Sequence, residues 1–331
     1  MLNTMKAKKC LLLAVKIAVG SSFAIYIAEL LNLQYSSSAG IVTLLTLFTT
    51  RKGTVKLSIA RLVTFAIIPV VTLVTFIPIK SAWVAYGLYI FLIVSICGML
   101  NWQATISTNA VIGTHFLMGR DFSPEFFLNE FLLVSIGICF AFVLNHFHDF
   151  QSQKEDFSKR ILWVENQMQE LLENVARYLS QEQTQKEVWK ELSDTRKELL
   201  GFLMDAREYE GNAFNENAAY YSKFFEMRLD QCQILFNLHN EMRKIKEVPA
   251  QAKIVAEYVR YMNCYVTELN EPTLQLQALE EIFQRMKKEP LPATRKEFEN
   301  RAVLYHILMD LEEFLLLKKQ FAADVSNFLH H

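Results

Sequence analysis

The chain has 331 residues, 52% of them hydrophobic and 21% charged, with a formal net charge of −1. That length allows two domains, and the near-neutral balance excludes the basic footprint of a nucleic-acid binder. The averages hide an asymmetry. Residues 1–150 hold ten Lys and Arg against five Asp and Glu and read as long apolar runs with short polar breaks, whereas residues 151–331 are acidic and contain no such run. The pattern predicts an all-α protein: a transmembrane domain over 1–150 and a helical bundle over 151–331.

A hydrocarbon core about 30 Å thick needs about 20 mostly apolar residues per helix. Six spans are predicted. They run from about Cys10 to Leu31, Ser36 to Thr50, Thr54 to Ile77 with Pro69 inside, Trp83 to Leu100, Trp102 to Met118, and Phe126 to His146. The second and fifth are short and polar, features tolerated where a helix faces protein or a wet cavity rather than lipid. The Lys-rich start resembles a signal peptide, but Lys16 interrupts its apolar run and no small-residue cleavage site follows, so the first segment reads as a retained helix. Lys6, Lys8, Lys9, Arg51, Lys52, Lys56, Lys154, Lys159 and Arg160 fall on one side of this topology, and only Lys80 and Arg120 on the other. The bias places both termini in the cytoplasm.

Beyond Gln151 the period becomes that of amphipathic helices. Ile161, Val164, Met168, Leu171, Val175 and Tyr178 mark one apolar face. Further helices are predicted over about Thr184 to Tyr209, Ala218 to Lys246, a stretch from Gln251 that Pro272 kinks or divides, and Thr294 to Phe328, with a polar break over 212–217. The expectation is an antiparallel bundle of four or five helices with Trp163, Trp189, Phe224, Phe225, Phe236, Phe298 and Phe314 in its core.

Ionisable residues inside a span are costly and are functional candidates by default. Lys16 and Arg61 each lie about two turns into a span, and Glu29 sits near the far end of the first. Lys16 and Arg61 either snorkel to the cytoplasmic side or form an inward-facing cationic constriction that holds an anion. Ala39, Thr43, Thr46 and Thr50 share one helix face, as do Thr105, Asn109 and Gly113. Such faces either line a pathway with hydroxyl groups or pack tightly against a neighbour. His115 is a proton carrier or an interfacial structural residue.

Several chemistries find no motif. The five cysteines form no CxxC and no histidine stands at zinc spacing from them, so no metal is expected. There is no phosphate loop, no HExxH, no paired intramembrane Asp and no nucleotide-binding glycine run, so no enzyme activity and no cofactor are expected.

Val15-Lys16-Ile17-Ala18, Ala24-Ile25-Tyr26-Ile27-Ala28, Ala39-Gly40-Ile41 and Thr50-Arg51-Lys52-Gly53-Thr54 resemble the aromatic acid exporter family of bacteria, within a wider fusaric-acid-resistance-like superfamily. The C-terminal half is similar to the helical domain that accompanies it. The resemblance implies a six-span protein of the bacterial cell membrane that exports aromatic or other organic carboxylates. It also implies that Lys16, Thr50, Arg51, Lys52 and Arg61 stand near the pore entrance. More distantly the layout is similar to plant malate-permeable channels, with a dimeric anion pathway. The chain departs from the pattern after Arg61, where Leu62–Pro69 replaces a stretch rich in small residues.

The expected pathway comprises Lys16, Thr43, Thr46, Thr50, Arg51, Lys52, Arg61, Asn109 and His115. The expected partners are the bilayer, small organic anions and further copies of the chain. The alternative is a non-transporting scaffold or sensor that works through its cytoplasmic bundle.

Overall fold

A computed structural model describes residues 2–146, 150–180, 185–213, 218–245, 249, 251–266 and 271–329. Among them there are twelve α-helices, one 3₁₀ turn and no strand. The chain divides into two compact units: Met1–His148 with Gly211–Ala213, and Asp149–Glu210 with Phe214–His331.

The first unit contains α1 (Leu2–Leu30), α2 (Ser37–Leu47), α3 (Arg51–Phe76), α4 (Ala82–Met99), the 3₁₀ turn (Gln103–Thr105), α5 (Ile106–Gly119) and α6 (Pro124–His146). Four segments are long and apolar enough to cross a bilayer: Cys10–Leu30, Arg51–Phe76, Ala82–Met99 and Pro124–Asn145. The second and fifth predicted spans are shorter helices, of 11 and 14 residues. Eleven residues rise only about 17 Å. The helix α2 stops early because its polar C-terminal residues turn to local bonds. Thr49 Oγ1 donates to Thr46 O, and Thr50 caps α3 by accepting from Gly53 N. The helix α3 continues through Pro69, and the Thr72 hydroxyl donates to both Ile68 O and Pro69 O.

Connections alternate between two ends of this unit. At one end Asn129 brackets Gln34, accepting from its N–H at 2.8 Å and donating to its carbonyl at 3.1 Å, while Arg120 Nη2 donates to Lys80 O. At the other end Asn145 ties α1, α6 and the α2–α3 connection together. The helix α2 packs between α1 and α6. Small residues allow close approach on both sides of it: a Cβ added at Gly137 of α6 would lie 2.6 Å from Val42 of α2, and one at Gly40 of α2 would lie 2.8 Å from Ile25 of α1. The burial pattern inverts that of a water-soluble protein. Phe23, Val70, Phe91 and Val143 face outward, while Ser38, Thr43, Thr54, Thr72 and Asn109 are buried.

The second unit contains α7 (Phe150–Leu179), α8 (Gln185–Asn212), α9 (Ala219–Met242), α10 (Ala252–Asn263), α11 (Thr273–Lys287) and α12 (Arg295–Leu329). It has six helices rather than four or five, because Pro272 stands at the start of α11 and separates it from α10. The predicted polar break reaches residues 214–217, which lie outside those described. The face predicted on α7 is in the core, with Ile161, Val164, Met168, Leu171 and Val175 buried and Tyr178 half-buried. Phe224, Phe225 and Phe314 are buried as expected, but Phe298 is 61% exposed, and Trp163 lies partly exposed against Phe202. Phe298 is in the first turn of α12, where few neighbours cover it. The side chain of Trp189 lies outside the described residues.

A charged network crosses this core. Arg228 is fully buried and donates to Val266 O at 2.7 Å and Gln231 Oε1 at 2.8 Å, with Glu165 Oε1 at 3.4 Å. Lys318, 3% exposed, donates to Tyr265 O. Burial, helped by the Arg228 charge and opposed by Glu165, pulls the Lys318 ammonium from 10.5 down to about 7. Between those values the unfolded chain holds a proton that the folded chain lacks, so stability rises with pH across the window; below about 7 both states are protonated and the folded state bears the whole penalty. The Cys232 thiol, pushed up by burial from 9 to about 12, acts with the opposite sign above pH 9. The full chain in detergent should therefore unfold at a higher temperature at pH 9 than at pH 7, and Lys318→Met should remove most of the difference. A variant with the wild-type pH dependence would show that another group is responsible.

Candidate functional site in the apolar unit

The buried polar groups of the first unit fall into separate clusters. At one end, Lys16 of α1 is half-buried and its Nζ donates to Asn145 Oδ1 at 2.8 Å. Asn145 Nδ2 in turn donates to Thr54 Oγ1 at 2.7 Å and Thr49 O at 3.2 Å. This cluster holds a cation with neutral oxygens, with no carboxylate among its hydrogen-bond partners in the described residues. Its neighbours in sequence, Thr50, Arg51 and Lys52, open α3; Lys52 is exposed and Arg51 half-buried.

About two turns beyond Thr54 along α3, Arg61 is 1% exposed. Its Nη1 donates to Val42 O at 3.2 Å and to the Thr46 hydroxyl, both on α2. The guanidinium therefore faces protein, not lipid. Its Nε and Nη2 have no hydrogen-bond partner, and no carboxylate lies within ion-pair distance of it among the described residues. Ser58 Oγ, three residues earlier on the same helix, is also buried and unpartnered. Nε and Nη2 form the edge of a guanidinium that takes both oxygens of a carboxylate side-on. An unpaired buried charge is among the most costly features a fold can carry, which makes Arg61 a functional candidate.

The predicted hydroxyl face of α2 is largely occupied. Thr43 Oγ1 donates to Ala39 O and approaches Gly137 O, and Thr46 Oγ1 donates to Val42 O. Thr46 thus remains an acceptor for Arg61, while Thr43 belongs to the α2–α6 contact. Asn109, 12 residues from Cys97, donates to its sulfur at 3.8 Å, and the Asn109 carbonyl accepts from Tyr89 Oη at 2.8 Å.

His115 stands apart from the basic residues. Its Nδ1 lies 2.7 Å from Glu130 Oε2, and its Nε2 lies 2.9 Å from Ser38 Oγ. The Tyr35 ring stacks on the imidazole with centroids 4.2 Å apart. The nine predicted residues thus form no single site. Arg61 and Thr46 are bonded to one another, Lys16 and Thr50 lie towards one end, and His115 lies near the other. Sequence reasoning missed Glu130, Asn145 and Ser38. Glu130 carried a legible signal, as the one acidic residue in the apolar run from Phe126 to His146.

Two family models cover most of the chain. "Aromatic acid exporter family member 1" matches residues 11–148, and "Putative aromatic acid exporter C-terminal domain" matches residues 154–319. The chain belongs to the aromatic acid exporter family. It is also 29% identical over 312 residues to "Uncharacterized protein YqjA" of Bacillus subtilis (strain 168), spanning 93% of this chain and 94% of that protein. Among solved structures, "Crystal structure of putative membrane protein from Clostridium difficile 630" is 22% identical, with a TM-score of 0.46, covering 51% of this chain and 98% of that one. Family membership and the apolar helices make this a multi-pass membrane protein of a transporter family.

Proposed function

We propose that the chain mediates efflux of organic carboxylate anions, aromatic ones among them, across the bacterial cell membrane. The observation that carries the reading is the buried, unpartnered side-on edge of Arg61, with the unpartnered Ser58 hydroxyl one turn away. A carboxylate there would replace water with charge-assisted hydrogen bonds in a low-dielectric setting. Six crossings, with α2 and α5 as short inner helices, put both termini on one side, and the Lys and Arg bias of the connections makes that side the cytoplasm. Lys16, Arg51 and Lys52 then stand on the cytoplasmic side, where they raise the local anion concentration. Thr43, Thr46, Thr50, Asn109 and His115 belong to the walls around that route. Two short helices enclose little space alone, so the active form is an oligomer of at least two copies.

The test is flux through the purified full chain in liposomes, with a panel of radiolabelled phthalate, 4-hydroxybenzoate and malate. Export predicts saturable exchange of at least one of the three. Vesicles no more permeable to any of them than protein-free controls would remove this reading.

A further inference from the structure

His115 and Glu130 meet between α5 and α6 with almost no exposure, 5% and 1% respectively. A buried imidazole and carboxylate inside an apolar unit are costly unless they do something, and this pair is built in detail. Glu130 Oε1 accepts from Asn129 Nδ2 at 3.2 Å while Oε2 faces His115 Nδ1. Ser38 Oγ faces Nε2. A hydroxyl both donates and accepts, so it satisfies Nε2 in either state: it donates to the bare nitrogen of a neutral imidazole and accepts from the N–H of an imidazolium. The dyad can therefore gain or lose one proton without orphaning any buried atom.

A second observation points the same way. Tyr35, whose ring covers the imidazole, sits at φ 58°, and Asn32 nearby at φ 52°. The left-handed region is sterically disfavoured for a bulky L-residue. Strain of this kind persists where the surroundings require a particular placement, and here it holds a ring over the His115 face. Among the described side chains, the other ionisable groups on the helices of this unit are Cys10, Lys16, Tyr26 and Glu29 on α1, Arg51, Lys52, Lys56 and Arg61 on α3, Tyr86, Tyr89 and Cys97 on α4, and Glu125 and Cys139 on α6; α2 has none. Tyr89 donates to Asn109 O.

We propose that His115 and Glu130 are a proton-binding dyad that couples inward proton movement to outward carboxylate movement, which deepens the export reading and rests on it. The link is α2. Ser38, the Nε2 partner, and Thr46, the Arg61 partner, are eight residues apart on it, about 12 Å by helix rise. Protonation reverses the hydrogen bond at Ser38, and an anion at Arg61 competes with the bond at Thr46. Both events bias the position of one short helix, which is the physical requirement for coupling. In the balance, one proton from the outer phase adds to Nε2 and later leaves to the inner phase as one carboxylate passes outward. No other bond forms or breaks.

The experiment compares the wild-type full chain with Glu130→Gln and His115→Gln in liposomes loaded with radiolabelled phthalate, 4-hydroxybenzoate or malate. An enclosed pH dye follows protons. The wild type should move its carboxylate uphill when the pH gradient favours it, with matching proton flux. Glu130→Gln should keep carboxylate exchange at equal pH, which shows that it is folded, and lose at least tenfold of the gradient-driven component together with the proton signal. Infrared difference spectra after a pH jump should show imidazole bands in the wild type that vanish in His115→Gln. Gradient-driven flux retained in Glu130→Gln, or wild-type flux without proton movement, overturns the coupling role and leaves export standing. A wild type that exchanges none of the three carboxylates removes export, and the coupling role with it.

Discussion

Arg61→Met is expected to cut carboxylate efflux by roughly ten- to a hundredfold, the range set by losing charged hydrogen bonds of about 1.5–3 kcal/mol. The same substitution is expected to stabilise the membrane half in detergent. The guanidinium is 1% exposed, faces Val42 O and Thr46 Oγ1, and leaves Nε and Nη2 unpaired. Replacing a buried charge by a well-packed apolar side chain of similar length is commonly stabilising, by about 1–4 kcal/mol. Opposite signs for activity and stability are the signature of a residue kept for function. Efflux from cells expressing the variant, with membrane levels matched, and thermal unfolding of the purified chain give the two readouts. Normal efflux would remove Arg61 from the mechanism; a large loss of stability would show that it is a structural clamp between α2 and α3. Arg61→Lys should recover only part of the flux, because an ammonium offers a point charge in place of a planar fork.

The largest stability effect is expected in the second unit, where Glu165→Ala should cost about 3–5 kcal/mol, the scale for breaking a buried ion pair by removing one partner. Glu165 is the carboxylate within ion-pair reach of the fully buried Arg228, whose guanidinium burial pulls down to about 10 while Glu165 pushes it back up. Lys318 also depends on Glu165 for part of its charge. Without the carboxylate, the buried Arg228 charge has no counter-charge within ion-pair distance among the described residues, and the Lys318 ammonium is pulled down further. Arg228→Met combined with Glu165→Ala should regain much of the loss, because the surviving partner is gone as well. A double-mutant cycle on thermal unfolding of the full chain measures this, and independent, additive effects would refute the pairing.

Several features were readable in the residues alone. Four of the six predicted spans and the amphipathic face of α7 follow from hydropathy and period, which are local properties. Arg61 and His115 stood out because ionisable groups are rare in such segments. Other features were not readable. The predicted second span over 36–50 shrank to Ser37–Leu47, because Thr49 and Thr50 found local hydrogen-bond partners that no periodicity reports. Phe298 looked like core by type and is exposed, since side-chain type sets the gain on burial but not the neighbours available. The pairing of His115 with Glu130 was legible in part: each lies within two turns of the connection over 120–123, so antiparallel helices bring them level.

The order of residues by itself determined where the apolar segments and the amphipathic helices lie, but not that two of the six predicted spans are by themselves too short to cross a bilayer. The positions of the segments depend on the free energy of moving each side chain between water and a nonpolar phase, summed along a contiguous stretch. Only the tertiary structure decided that Arg61 is buried against α2 with its side-on edge unpartnered, and that Ser38, His115 and Glu130 meet. Both outcomes depend on which helix faces touch, and that is settled by close packing at small residues such as Gly40 and Gly137, between segments far apart in the chain.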